Sequence, residues 1–493
     1  MARGLIGPGR PAEVALFQVS EVLRATGGEL LSGPRSATLN GVSTDSRTVL
    51  PGQLFIPIVG ERHDAHQFIP EALARGCGGT LVGPSWRLPA EGERGVPLIR
   101  VRDTTEALGD LATFHRRRFS VPLVAVTGSS GKTTTKEMVA AVLGTRLCVL
   151  KSPGNLNNLI GLPLSLFPLG GEHEAVVVEM GMNRTGEVRR LTEIARPTVG
   201  VLTNISPVHL AYLGSVGAVR EAKGEMVEVM SGRGVLVANG EDPHCLLLAE
   251  RFRTLGGRVV LFGRGIPAEV QAAEVRSFGR RGMAFTLRVE SKALPLRIRP
   301  LGQHNVLNAL AAAAVGWALE LPLEAIAQGL TALEPPKRRM EVRRLTNGVH
   351  WVDDAYNANP RSVRAALETF ASLRNGGRSI VILGDMLELG RRGAQAHRSL
   401  GAAVAAMAKE PAGPSSLPKG ARGVDYLLVL GDQARYIAEE ALRRGMERRR
   451  VISCESPTEA ARWLRRHLSK GDWVLVKGSR GMAMERILEG LEG

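Results

Sequence analysis

A chain of 493 residues exceeds what one hydrophobic core can serve, since single cores stop growing near roughly 250 to 300 residues, so two or three domains are expected. Its 44% hydrophobic and 23% charged residues exclude a disordered or fibrous chain, and no run approaches the ~18 apolar residues of a membrane span. The formal net charge of +16 would suit a polyanionic partner, but the arginines are dispersed and only 4% of residues are aromatic, which disfavours a stacking groove for nucleic acid and leaves a solvated basic surface open to small anionic substrates.

Residues 1–10 lack the apolar stretch of a signal peptide, and the first dozen residues carry no functional reading. Cys77, Cys148, Cys245 and Cys454 stand far apart, which gives neither a disulfide framework nor a zinc site. A cytoplasmic monomer without membrane insertion is expected.

Along the chain, the strand-like run 52–58 and a helix-like stretch at 71–75 predict a small α/β domain over residues 1–120. Apolar strands at 123–126, 175–180, 199–203, 235–238 and 259–262 then alternate with helical patterns, the rhythm of a mostly parallel sheet covered by helices. Between 270 and 299 strict alternation suits an antiparallel ribbon at the sheet's margin, and an Ala-rich helix follows at 305–319. Pro335 and Pro336 cannot continue a helical ladder and mark a linker, so the central domain spans 121–334. The βα rhythm restarts at 349–353, 379–383, 426–430 and 473–476, which predicts a Rossmann-like domain over 335–493, with a surface loop at 409–416. The expected fold class is therefore α/β in three domains.

The sharpest local signal is Thr127-Gly128-Ser129-Ser130-Gly131-Lys132-Thr133-Thr134, an apolar strand running through a Gly-rich turn into a helix. Small residues let backbone N–H groups close around phosphate oxygens, the helix N-terminus adds partial positive charge, and Lys132 adds a full one. Thr133 is placed to ligate Mg²⁺, although the motif is the shorter GxxGKT rather than GxxxxGK[ST]. Glu179 ends a buried strand, where α/β sheets open into their ligand crevice, and is placed to hold a metal. His209 follows another such strand and is placed for metal or phosphate, although a loop histidine taken singly is more often a plain surface residue than a ligand. Lys223 falls in a helical segment where a solvated lysine is the plain expectation.

Together with Gly154-Asn155-Leu156-Asn157-Asn158, Glu179-Met180-Gly181, Gly302-Gln303-His304-Asn305-Val306-Leu307-Asn308 and Asp353-Asp354-Ala355-Tyr356-Asn357-Ala358-Asn359-Pro360, the phosphate loop resembles that of the Mur ligases, and the resemblance runs from Asp45 to Arg486. It implies an N-terminal domain for a UDP-sugar, a central ATPase domain and a third domain that closes over the site. The segments Leu383-Gly384-Asp385-Met386-Leu387-Glu388-Leu389-Gly390 and Lys477-Gly478-Ser479-Arg480 imply, within the family, UDP-N-acetylmuramoyl-tripeptide and D-alanyl-D-alanine as substrates, with ATP and Mg²⁺.

Residue by residue, the resemblance implies that Ser46 and Arg47 lie in the uridine-nucleotide region, where Asp64-Ala65-His66 stands in place of the family's Asp-Gly-His. It implies Lys132, Glu179, His209 and a carbamylated Lys223 around phosphate and metal, Asn305 and Asn308 near adenine, and Arg339 and Asp354 on phosphate and ribose. Asn155, Asn157, Asn158, Tyr356, Asn357, Asn359, Lys477 and Arg480 are implied substrate contacts. A tripeptide-forming sister ligase is disfavoured because its Asp-Asn-Pro-Arg element is absent, and a folylpolyglutamate synthase because Thr133-Thr134 stands where Gly-Ser is usual. A nucleotide-switched regulatory protein would need the same loop and no acceptor site.

Overall fold

The computed structural model describes residues 16–60, 63–87, 95–374, 376–409 and 423–492. The first dozen residues and most of the expected loop at 409–416 lie outside them; Lys409 itself closes the helix Gly393–Lys409. Among the described residues, no helix is long and apolar enough to cross a membrane.

The architecture is α/β, built on three main sheets. The first has the order Glu29–Ser32, Leu98–Arg100, Gly79–Val82, Leu54–Phe55, Val42–Ser43, antiparallel at its first pair and parallel elsewhere. The expected strand at 52–58 contracts to Leu54–Phe55. The helix-like stretch at 71–75 becomes Ile69–Ala74, with Pro70 in its first turn, a position where the missing N–H leaves no bond unmade.

The central sheet has nine strands, ordered Lys292–Ile298, Met283–Val289, Val270–Ser277, Arg258–Arg264, Val235–Asn239, Val199–Leu202, Leu123–Thr127, Ala175–Glu179, Val149–Lys151. Pairing is parallel from Val149–Lys151 to Val270–Ser277, and the last three strands form the antiparallel ribbon expected at the margin. Sequence periodicity gave no sign of the short edge strand Val149–Lys151. Both faces of the sheet are covered: Leu123 and Ala125 enter one core and Val124 and Val126 the other, so the strand reads as continuously apolar. The Ala-rich helix Gln303–Ala318 packs against the second core, where its small side chains let it lie close to the phosphate-loop helix Lys132–Leu143.

The third sheet runs Glu341–Arg344, His350–Asp353, Trp473–Lys477, Ser379–Gly384, Tyr426–Leu430, Val451–Cys454. It is parallel except for its first pair. Pro335 and Pro336 lie outside helix and strand, between the second and third sheets.

Candidate functional site

A cleft of about 400 Å³ opens where the carboxyl ends of the central strands face the third domain. Its floor is the turn after Leu123–Thr127. Gly128 has φ 148 and Gly131 φ 80. A Cβ on Gly128 would fall 1.9 Å from Thr203 Oγ1, and one on Gly131 2.4 Å from Asn308 Oδ1, so both backbone form and space require glycine. Ser129 N donates to Asn204 O at 2.8 Å, Ser129 Oγ to Ser206 O at 3.1 Å and Thr203 Oγ1 to Ser130 O at 2.7 Å. The Asn204 side chain grips Ser130 three times: its Oδ1 accepts from Ser130 N at 3.2 Å and Ser130 Oγ at 3.0 Å, and its Nδ2 donates to Ser130 O at 2.9 Å. The turn is thereby fixed before any ligand arrives.

Lys132 Nζ folds back to donate to Gly128 O at 3.1 Å. Burial pushes its pKa below the ordinary lysine value; Glu179 opposes that shift and Arg339 adds to it. An incoming polyphosphate would restore the missing negative charge. Thr133 Oγ1 donates to Glu179 Oε2 at 2.7 Å, and Asn157 Nδ2 donates to Glu179 Oε1 at 2.7 Å. Thr134, Asn155 and His209 also line the cleft. Hydroxyl and carboxylate oxygens are the hard donors Mg²⁺ takes, so Thr133 and Glu179 fit that ion. Among the described residues no group of three or more His, Cys, Asp or Glu is arranged for a metal; an ion here would complete its shell with phosphate oxygens and water, as Mg²⁺ usually does.

The other wall comes from the linker and third domain. Arg339 Nη2 donates to Thr133 Oγ1 at 2.9 Å, and its guanidinium lies 4.2 Å from the centre of the Tyr356 ring. Lys477, at the end of the strand Trp473–Lys477, is buried and donates to Asp354 Oδ2 at 2.6 Å and Asn357 O at 2.8 Å. The solvated basic residue that a loop would suggest is therefore half of a buried ion pair. Arg480 is held by Glu485 Oε1 at 2.9 Å. Asn359 lines the cleft and caps the helix Pro360–Leu373, accepting from Ser362 N at 2.9 Å. Asn305 and Asn308 form a pair on the first turns of Gln303–Ala318, Asn308 Nδ2 donating to Asn305 Oδ1 at 2.8 Å.

Six of the implied residues do not line this cleft. Thr127 Oγ1 donates to Met180 O at 3.0 Å within the sheet. Asn158 Oδ1 accepts from Gly161 N at 2.8 Å at the start of Gly161–Leu166. Ser46 is buried and donates to Glu71 Oε2 at 2.8 Å, and Arg47 is exposed and pairs with Asp45 at 2.7 Å; both belong to the first domain. Lys223 corrects the solvated reading: it is 1% exposed. Burial pushes its pKa well below the ordinary value, the charge of Lys132 acts in the same direction, and Cys245 opposes. Gly128 shapes the turn from beneath.

A family model, "Mur ligase middle domain", matches residues 126–316, and a second, "Mur ligase, glutamate ligase domain", matches residues 338–412. The UDP-N-acetylmuramoyl-tripeptide–D-alanyl-D-alanine ligase of Bacillus subtilis is 35% identical over 96% of this chain and 97% of its own length. The protein of the same name from Treponema pallidum is 37% identical over 96% and 98%. The chain belongs to the Mur ligase family. Among solved structures, MurF from Acinetobacter baumannii superposes with a TM-score of 0.85 at 30% identity, covering 97% of this chain and 99% of that one. MurF from Thermotoga maritima in complex with ADP gives 0.77 at 27%, covering 92% and 96%.

Several further polar residues around this Mur ligase's cleft were given no role of their own by the sequence, although Asn204 opens the segment Asn204 to His209 that resembles the family's. Thr203 and Asn204, just beyond Val199–Leu202, wire the phosphate turn. Asn239 ends Val235–Asn239 and donates to Thr203 O at 2.9 Å, and behind the cleft lining Asp242 Oδ2 accepts from Ile205 N at 2.9 Å. The signal that singled out Glu179, a polar residue at the end of a buried parallel strand, would have flagged them too.

Proposed function

We propose that this Mur ligase joins D-alanyl-D-alanine to the terminal carboxyl of a UDP-N-acetylmuramoyl-tripeptide at the expense of ATP, in the cytoplasm where ATP is at hand. The observation that carries this reading is the whole-chain similarity to ligases of that name, which takes in the segments 354–359, 387–389 and 477–481 that contribute to the cleft.

A carboxylate is a poor electrophile toward an amine. Its oxygen attacks the γ-phosphorus of ATP, ADP departs, and the acyl phosphate so formed is attacked at carbon by the dipeptide amine; the C–O bond breaks and phosphate leaves. The backbone N–H groups of 129–134 and Lys132 bind the phosphates in this reading, and Arg339 meets the γ-phosphate beside Thr133. Thr133 and Glu179 would hold Mg²⁺, which would supply positive charge against the negative charge gathered between carboxylate and phosphate. Asn305 and Asn308 take the adenine and Asp354 the ribose. Asn155, Asn157, Tyr356, Asn357, Asn359, Lys477 and Arg480 orient the peptide and dipeptide, and the third domain keeps water from the acyl phosphate. His209, which lines the cleft, would be a further ligand on the metal and phosphate side. Burial pushes the Lys223 pKa well below the ordinary lysine value, which favours addition of CO₂ to its amine, and the resulting carbamate would be an anionic ligand for metal. Ser46 and Arg47 serve the uridine nucleotide from the first domain.

The test is ATP-dependent phosphate release by the purified protein with each substrate omitted in turn, and the product identified by mass. Release that needs both the nucleotide-linked tripeptide and the dipeptide, with a pentapeptide product, is expected. Release independent of the dipeptide would refute the assignment.

A further inference from the structure

Among the described residues, five lysine and arginine side chains line the cleft: Lys132, Arg339, Arg361, Lys477 and Arg480. Four of them are engaged. Lys132 folds onto its own turn and Arg339 onto Thr133, both on the phosphate side; Arg361 faces Asp242 at 3.7 Å, and Lys477 is buried against Asp354. Arg480 differs. Its side chain is 58% exposed, and among the described residues its guanidinium has one acceptor, Glu485 Oε1 at 2.9 Å, so most of its N–H donors stay open. Burial pushes the Tyr356 phenol up and the charges of Arg339 and Arg480 both oppose that shift, which puts Arg480 within electrostatic reach of the ring on which Arg339 rests.

Glu485 follows the short turn Arg480–Met482, and its Oε1 accepts a second guanidinium, Arg338 Nη1 at 2.7 Å. Two arginines on one carboxylate leave a net positive charge beside the cleft. The loop that carries them is tied at each step: Ser479 N donates to Asp385 O at 3.0 Å, Met482 N to Ser479 O at 2.9 Å and Ala483 N to Arg480 O at 3.2 Å. Arg338 holds φ 59, and Glu485 Oε2 is buried with no partner. A left-handed non-glycine residue and an unpaired buried oxygen both lower stability, and such features collect where function sets the geometry.

An acceptor dipeptide attacks with its amine and keeps its own carboxylate, which needs a cation that neither phosphate nor an acidic side chain has taken. We propose that Arg480 binds this terminal carboxylate and that Glu485 is the positioning residue that holds Arg480 for it. Guanidinium and carboxylate pair best through two parallel N–H···O bonds, so the orientation of the guanidinium plane, which Glu485 fixes, decides whether both form. The inference rests on the reading of this cleft as the site of a ligase that accepts a dipeptide.

The experiment compares two acceptors, D-alanyl-D-alanine and its C-terminal amide, which differ at the carboxylate alone. Each is titrated at saturating ATP and nucleotide-linked tripeptide in the full chain and in Arg480→Ala, Glu485→Ala and Glu485→Gln. The wild type is expected to show a KM about tenfold or more higher for the amide, the worth of a hydrogen bond to a charged group. In Arg480→Ala and Glu485→Ala the KM for the dipeptide should rise, the KM for ATP should stay unchanged, and the preference for the acid over the amide should vanish. Glu485→Gln, whose amide oxygen still accepts from Arg480, should keep most of that preference. A general loss of folded protein slows both acceptors alike and leaves the preference intact, so the ratio separates positioning from a structural role. Equal use of the two acceptors by the wild type overturns the proposal, as does a preference retained in Arg480→Ala. A preference kept in Glu485→Ala and lost in Arg480→Ala overturns the role of Glu485. A wild type that turns over neither acceptor overturns instead the ligase reading, and the proposal with it.

Discussion

The two junctions of the central domain are built from different materials. Toward the first domain the junction is apolar: Phe17, Leu108 and Leu111 share one continuous core with Leu166, Phe167, Leu191 and Ile194. His115 is enclosed there between Phe17, Phe119 and Phe167 at ring distances of 5.7, 5.2 and 6.1 Å. Toward the third domain the contacts are polar and surround the cleft: Arg339 with Thr133, Glu388 with His209 and Ala211, and Arg361 with Asp242 at 3.7 Å. Apolar burial binds the first two domains into one body, whereas the second junction offers polar groups that substrates can engage in turn.

The largest effect expected belongs to the polar junction and is one of rate. Lys132→Ala should lower turnover by about a thousandfold, the upper end for removal of one charged donor from a developing anion. Its melting temperature should stay close to that of the wild type, because Lys132 makes one hydrogen bond to its own turn. A comparable fall in stability would show that the cleft is structural as well.

At the apolar junction the effect should be reversed. Phe17→Ala removes a ring that is 1% exposed and should cost about 3 kcal/mol by denaturant unfolding, with the first and central domains still unfolding together. If the central domain kept its full stability, the shared core would not couple them.

His115 sharpens the same contrast through pH. Burial pushes its pKa down from 6.5 to about 4, with Arg118 adding to the shift and the Leu169 carbonyl opposing it. The folded value lies below the unfolded one, so the proton favours the unfolded chain. The stability is fully present above pH 6.5 and is lost as pH falls toward about 4, up to about 2 kcal/mol by pH 4.5. His115→Gln should flatten the fall in melting temperature across that window; an unchanged slope would place the acid sensitivity elsewhere. The smallest effect is expected of Arg361→Ala, whose half-exposed side chain faces Asp242 at 3.7 Å. Loss of that pair should change stability by less than about 1 kcal/mol, which a denaturant titration can check.

What the sequence disclosed followed the same division. The phosphate turn was legible because its chemistry lies in consecutive residues, and the parallel strands because both faces are buried and apolar. The burial of Lys223 was missed, although a helical period carries it: Val219, Ala222, Met226, Val227 and Met230 form the buried stripe of the helix Val216–Met230, and Lys223 falls on it. The partners of His209 and Lys477 were not legible. Glu388 and Asp354 lie far from them in sequence, and no local period reports a contact that exists only when separate strands and domains meet. The edge strand Val149–Lys151, three residues long and only partly buried, was too short and too weakly patterned to register.

The central claim is that the cleft between the second and third domains activates a carboxylate by phosphoryl transfer. Its most direct test is turnover of a nucleotide-linked tripeptide carrying ¹⁸O in its terminal carboxylate, with the released phosphate examined by mass. The account predicts one ¹⁸O in each phosphate, carried away when the amine displaces the acyl phosphate. Phosphate free of ¹⁸O, with the label kept in the peptide product, would contradict it.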